Sequence, residues 1–296
     1  MPSSTPLQRT LRAVSRHRSA QIGFGLLMLF VLVALFADVI APYPVTGPQA
    51  VLKGEKGRDL PCIHALGCSS ERNQHLMGID TNRRDLFSRI VYGTRVSLRI
   101  GLFTTGLAIV VGTLIGAVAG FVGGAFSDFL MGCMDVLLAF PGLLLAIGIV
   151  TVLGPGLSNA LLALAIVGIP VYARLVRASV LATKDLDFIT ASRALGASPV
   201  RLLFARILPN SLSPLIVQAT LGIAGAILSA AGLSFLGLGA EVGTAEWGLM
   251  LAEERSSVLN TPHLVFFPGL AIMLVVLAFN LLGDGLRDAL DPRRKA

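Results

Sequence analysis

The chain has 296 residues, of which 54% are hydrophobic and only 14% charged, with a mean hydropathy of +0.78. Soluble globular domains carry about 25% charged residues, so this composition belongs in a bilayer. The net charge of +7 does not point to nucleic acid, because the bases gather at the ends of apolar stretches, where the positive-inside rule places them.

In chain order, a basic N-terminal tail over 1–20, with Arg9, Arg12, Arg16 and Arg18, precedes an apolar run that predicts a first transmembrane helix over 21–40. A cleaved signal peptide, with Ala34 and Ala37 near its site, is the rival reading. Cleavage would leave five spans and put the basic C-terminal tail opposite the basic loop near 174–206, against the charge rule. The uncleaved anchor is therefore preferred, with both termini cytoplasmic.

Residues 41–96 then form an extracytoplasmic segment, opened by Ala41-Pro42-Tyr43-Pro44. Three readings of Cys62 and Cys68 stand open. The first is a disulfide, which would stabilise so small a ring by about 2 to 3 kcal/mol in the chain-entropy model. The second is a metal site with His64 and His75, although the spacing is not a standard zinc pattern. The third is a pair of free thiols, and no metal site is expected. The bases between Lys53 and Arg95, with Glu55, Asp59, Glu71, Asp80 and Asp85, read as a solvated surface with local ion pairs.

No Asp, Glu, Lys or Arg occurs in 100–127, 136–173, 207–240 or 256–283, and each stretch exceeds the roughly 20 residues that cross hydrocarbon. Gly154-Pro155-Gly156 divides the second of them. Further spans are thus predicted at 97–122, 129–153, 157–175, 210–234 and 263–283, six in all with the first. Gly112, Gly116 and Gly120 form two Gly-x-x-x-Gly steps, read as close helix packing. Pro141 should kink the third span or start its regular portion. Asp135 is placed in that helix's first turn, favoured by the helix dipole, and Cys133 is read as a small packing residue.

The loop 176–209 has the most informative local chemistry. Asp187 can cap a short helix over 188–195, and Gly196 is the residue type that ends helices in a left-handed conformation. Ser198 can cap a second helix, with Pro199 in its first turn, which is predicted to stop at Leu208-Pro209. A helix protruding between two spans can turn a push into movement of those spans.

The run Thr190-Ala191-Ser192-x-x-x-Gly196 followed by Leu208-Pro209 resembles the Glu-Ala-Ala-x-x-x-Gly … Ile-x-Leu-Pro loop of ABC importer permeases. Thr190, Ser192 and Arg206 are departures. Met77-Gly78-Ile79-Asp80-x-x-Arg83-Arg84-Asp85-Leu86-Phe87-Ser88-Arg89 is similar to a signature of the second, C-type permease subunit of the dipeptide, oligopeptide and nickel group. So are the stretch from Leu233 to Ala240, Glu246-Trp247-Gly248 with Val242-Gly243 in place of Pro-Pro, and the tail from Ala278 to Pro292.

The resemblance implies an all-α, six-helix type I importer permease in the cytoplasmic membrane of a bacterium or archaeon. It implies a five-helix core over 97–285 and a cytoplasmic tail over 286–296. ATPase coupling falls to Asp187, Phe188, Ile189, Thr190, Ala191, Ser192, Arg193, Gly196, Leu208 and Pro209. The implied partners are a second homologous permease, two ATPase subunits that hold ATP and Mg, an extracytoplasmic substrate-binding protein and membrane lipid. The chain itself binds no cofactor and is not an enzyme on this reading. None of its four lysines follows a glycine, so it carries no P-loop. Peptides are the expected cargo, with nickel, glutathione or another small solute as the alternative.

A stand-alone secondary transporter or channel would place ionisable groups at mid-membrane, whereas Asp38, Arg99 and Asp135 all fall near span ends. An intramembrane enzyme would need a buried nucleophile with a base, and none of the four histidines lies deep in a span.

Overall fold

The computed structural model describes residues 17–290. Arg9, Arg12, Arg16, Arg293, Arg294, Lys295 and the Asp291-Pro292 end of the tail motif lie outside them. Among the described residues the regular structure is helical, apart from two isolated antiparallel bridges, Cys62 with His75 and Ile79 with Asp85.

The first span is α1 (Arg18–Leu35), followed without a loop by the short α2 (Ala37–Ile40). After the segment 41–85 comes α3 (Leu86–Val122), which begins well before the predicted 97 because Asp85 caps it, accepting from the Ser88 amide. At about 1.5 Å per residue, 37 residues run near 55 Å. That is more than the roughly 30 Å of hydrocarbon, so the charged first turns stand outside it.

The third span is broken. α4 (Gly124–Leu138) and α5 (Gly142–Leu153) meet at 92° across Ala139 to Pro141, since proline cannot continue the hydrogen-bond ladder. Asp135 therefore lies near the end of α4, not in a first turn, and its carboxylate takes the Arg174 guanidinium at 2.5 Å. Cys133 is exposed rather than buried among other residues, contrary to its reading as a packing residue.

α6 (Leu157–Thr183) returns across the membrane. The loop helix α7 (Asp187–Ala194) and the short α8 (Pro199–Leu202) follow, then α9 (Leu212–Phe235). α10 (Trp247–Glu254) is a further eight-residue helix, and α11 (His263–Leu290) closes the described chain. Among the described residues five helical stretches are long and apolar enough to span a bilayer, and counting the bent pair as one span makes six. Residues 41–85 and 236–262 share one end of the bundle, here the loop end. Residues 184–211 occupy the other, the helix end.

The tightest packing is α3 on α6. A Cβ on Gly116 would stand 2.2 Å from the Ala173 carbonyl oxygen, and one on Gly112 would stand 2.7 Å from the Ile169 carbonyl oxygen. The glycine steps are therefore close-approach sites, where any side chain would force the helices apart. A second layer pairs α11 with α1 and α9. Between these layers Trp247 is fully buried, with Phe30 edge-on at 6.1 Å and its indole N–H donating to the Ile90 carbonyl at 3.1 Å.

Candidate functional site

At the helix end, α7 is short because its signals are local. Its N-cap is Leu186, which makes no side-chain cap, and Asp187 is the first helical residue. Asp187 therefore supplies negative charge to the first turn but does not cap, a correction to the expected role. Gly196 stops the helix at φ 83°, the left-handed conformation that glycine adopts at no steric cost. The Ala197 amide reaches back to the Ser192 carbonyl and the Gly196 amide to that of Arg193, closing a Schellman-type cap. Ser198 then caps α8, its hydroxyl accepting from the Arg201 amide.

The second helix does not stop at Leu208-Pro209. It passes through a π turn at Leu203–Ile207 and a 3-10 turn at Leu208–Ser211 into α9. The Leu208 amide bonds the Leu203 carbonyl, five residues back. Wider turns of this kind accommodate a proline that lacks its own donor, and the Asn210 side-chain amide takes the Arg206 carbonyl.

Of the expected coupling residues, Ile189 is fully buried and Leu208 and Ser192 half-buried, whereas Asp187, Phe188, Thr190, Ala191, Arg193, Gly196 and Pro209 are exposed. Ile189 belongs to an apolar cluster with Val176 and Val180 of α6, Leu202, Ile207 and Leu215. It is a peg set into the base of two spans. Outside it, Phe188, Leu195, Val200 and Phe204 expose apolar surface. Among the described residues the Thr190 hydroxyl bonds only the start of its own helix, through the Leu186 carbonyl at 3.4 Å.

At the loop end, the charges read as solvated surface divide in two. Asp59 with Arg72, and Glu55 with Asn73, are exposed pairs. Lys53, Lys56, Arg58, Glu71 and Arg83 are exposed as well, whereas Asp80, Arg84, Asp85 and Arg89 are buried. Asp80 and Arg89 are each 1% exposed. Asp80 takes Arg84 at 2.8 Å and Arg89 at 2.5 Å, and Glu253 takes both arginines at 2.8 Å. Arg89 also donates to the Thr244 carbonyl at 3.1 Å. Glu254 accepts the Thr81 amide at 2.7 Å and Arg58 at 3.4 Å.

Nearby, Asp85 accepts from the Ser88 amide and hydroxyl and from His75, and His75 stacks on Tyr43 at 4.8 Å. Burial, then the charges of Asp85 and Glu55, raise the Tyr43 phenol above its usual range. Glu246 caps α10, accepting from the Gly248 and Leu249 amides. Burial pushes its carboxyl up, opposed by those same amides and Ser234. Cys62 and Cys68 are joined as a disulfide, while His64 bonds the Arg72 carbonyl and His75 serves Asp85.

Residues 112–296 match the model of the binding-protein-dependent transport system inner membrane component family, and residues 5–53 match the N-terminal TM domain of oligopeptide transport permease C. The chain belongs to this permease family. The dipeptide transport system permease protein DppC of Alkalihalophilus pseudofirmus is 43% identical to it, over 99% of this permease and 91% of the relative. The di/tripeptide transport system permease protein DppC of Pseudomonas aeruginosa is 44% identical over 98% and 93%. The glutathione transport system permease protein GsiD of Pectobacterium atrosepticum is 42% identical over 99% and 93%.

A chain of the inward-facing MetNI methionine ABC transporter aligns with a TM-score of 0.57 at 18% identity, over 70% of the permease and 98% of that chain. The permease thus has the type I importer fold and is a multi-pass inner membrane protein. The signature residues Asp80, Arg84, Asp85, Ser88, Arg89 and Glu246-Trp247-Gly248, separate in sequence, meet at the loop end. Glu253 and Glu254 complete the cluster and escaped the sequence reading, because nothing local to 253–254 marks partners more than 160 residues away.

Proposed function

We propose that this permease moves dipeptides or oligopeptides across the cytoplasmic membrane, driven by ATP hydrolysed on separate subunits. The partners are a second homologous permease, two ATPases holding ATP and Mg below the helix end, and a binding protein docking at the loop end. The helix end and both termini then face the cytoplasm. The curated relatives that carry peptides, at 43 to 44% identity over nearly the whole chain, support the cargo. Those named for glutathione, itself a tripeptide, are equally close and favour it as the second reading.

The observation that carries coupling is the two-sided α7. Ile189 is locked beneath α6 and α9, while Phe188 and Leu195 present apolar surface outward. An ATPase groove covering that surface moves the peg and with it the bases of both spans, biasing a two-state bundle. In proteoliposomes holding all partners, Gly196→Pro, or Arg193→Glu with Ala191→Phe, should abolish uptake and ATPase stimulation while the complex still assembles. Wild-type rates in both would end the coupling assignment. Mass spectrometry of the ligand retained by the partner binding protein separates peptide from glutathione and from nickel.

A further inference from the structure

A cavity of about 610 Å³ opens at the loop end between α3, the segment near Val45 and the loop 241–245. Three arginines line it, and two are already engaged. Arg84 is held by Asp80 and Glu253. Arg95 is held by Asp38 at 2.8 Å and lies over the Tyr92 ring. Arg99, one turn further along the same face of α3, is exposed, and no ion pair or hydrogen bond within the described residues engages its guanidinium. On the facing loop, Glu241 is likewise exposed and unengaged. The two are not paired with each other.

Both groups sit on a fixed frame. The Thr244 amide donates to the Glu241 carbonyl at 3.0 Å, and the Thr244 carbonyl receives Arg89 of the buried cluster. Gly243 in this turn stands at φ 100°, which proline, fixed near −65°, cannot adopt. Val242-Gly243 therefore shape the Glu241 turn in a way that Pro-Pro would not.

A cavity presenting one free guanidinium and one free carboxylate is complementary to a zwitterion. A guanidinium fork matches a carboxylate in two parallel bonds, and a carboxylate accepts from an ammonium. The termini of a dipeptide lie roughly 6 to 7 Å apart when extended, and the cavity holds such a molecule with room for water. We infer that this vestibule receives a short peptide with both termini free, Arg99 taking its carboxylate and Glu241 its ammonium, before the peptide enters the membrane path. This rests on the peptide-import reading and adds a selecting site on the permease itself.

The test uses the whole complex in proteoliposomes, with ATP inside and binding protein outside. The probes are labelled alanyl-alanine, its C-terminal amide and its N-acetyl form. Each uptake rate is divided by the fraction of binding protein loaded with that probe. Arg99→Gln should lower alanyl-alanine uptake about tenfold, since a hydrogen bond to a charged group is worth roughly that or more, yet change amide uptake less than twofold. Glu241→Gln should do the converse, sparing the N-acetyl form, and Arg99→Lys, which keeps the charge but not the fork, should restore only part of the loss. Equal losses for all three probes would assign Arg99 and Glu241 to docking of another subunit and overturn the inference, as would no loss at all. If the unmutated complex moves none of the probes, the dipeptide cargo on which this inference rests fails instead, and the inference with it.

Discussion

At the loop end Asp80, Arg84, Arg89 and Glu253 are buried and bonded to one another, whereas at the helix end Asp187, Arg193, Arg201 and Arg206 are exposed and no ion pair joins them among the described residues. The first region is tied by charges in fixed geometry, across segments far apart in the chain. The second is shaped by local backbone caps and one apolar peg. A buried ionic cluster tolerates no half-measures, since each member stripped of its partner is left unsolvated. An apolar peg slides or tilts at lower cost, as packing is not directional. The difference separates an ionically tied collar at one end from an apolar contact at the other.

The strongest way to break that comparison is Arg89→Ala. It leaves Asp80 and Glu253 with a lost partner in a buried setting, a change that costs about 3 to 5 kcal/mol. Hydrogen exchange should show protection falling in α10 and in 241–246, with α7 unaffected. Loss of protection at both ends alike would mean the collar and the α7 contact are one unit. A smaller effect is expected from Ile189→Ala, roughly 2 to 3 kcal/mol, the low end for a buried isoleucine because the site is near the surface and can partly collapse. Here the amides of α7 should exchange faster and the loop end should not respond.

The disulfide sharpens the loop end from another side. Replacing Cys62 and Cys68 by serine opens a ring with a sequence separation of 6, for which chain entropy gives about 2 kcal/mol. The Cys62 backbone is paired with His75 in both directions at 2.9 Å, and His75 carries the bond to Asp85. Limited proteolysis between 55 and 75 should therefore accelerate in the double variant, and reductant should accelerate the parent to the same rate while leaving the variant unchanged. A parent indifferent to reductant would detach the disulfide from the collar.

How legible each region was in the sequence follows the same division. Gly196 and Ser198 were readable because a cap is set by residues three or four apart. The peg at Ile189 was not readable as such, since its socket is made by α6 and α9. Charge-free stretches located the spans, but hydropathy marks where hydrocarbon ends rather than where a helix ends, so the turns of α3 carrying Arg89 and Arg95 were left out. Pro141 announced a break without its size, because the 92° turn is set by what α4 and α5 each pack against. The C-type signature named Asp80, Arg84 and Arg89, yet their burial depends on Glu253, 164 residues from Arg89, and no local pattern carries that pairing.

The smallest expected effect tests whether the helix end is as locally determined as its geometry implies. Ser198 accepts from the Arg201 amide at 3.4 Å, a long bond at an exposed position, so Ser198→Ala should cost about 0.5 to 1 kcal/mol, and Ser198→Gly only a few tenths. The loss should appear as faster exchange in 199–203 alone, with α7 keeping its protection because Gly196 and Ile189 hold it independently. If α7 loosens together with α8, the two helices move as one body. On the coupling proposed above, the push from an ATPase would then reach α9 through the π turn at Leu203–Ile207 as directly as it would reach α6 through Ile189.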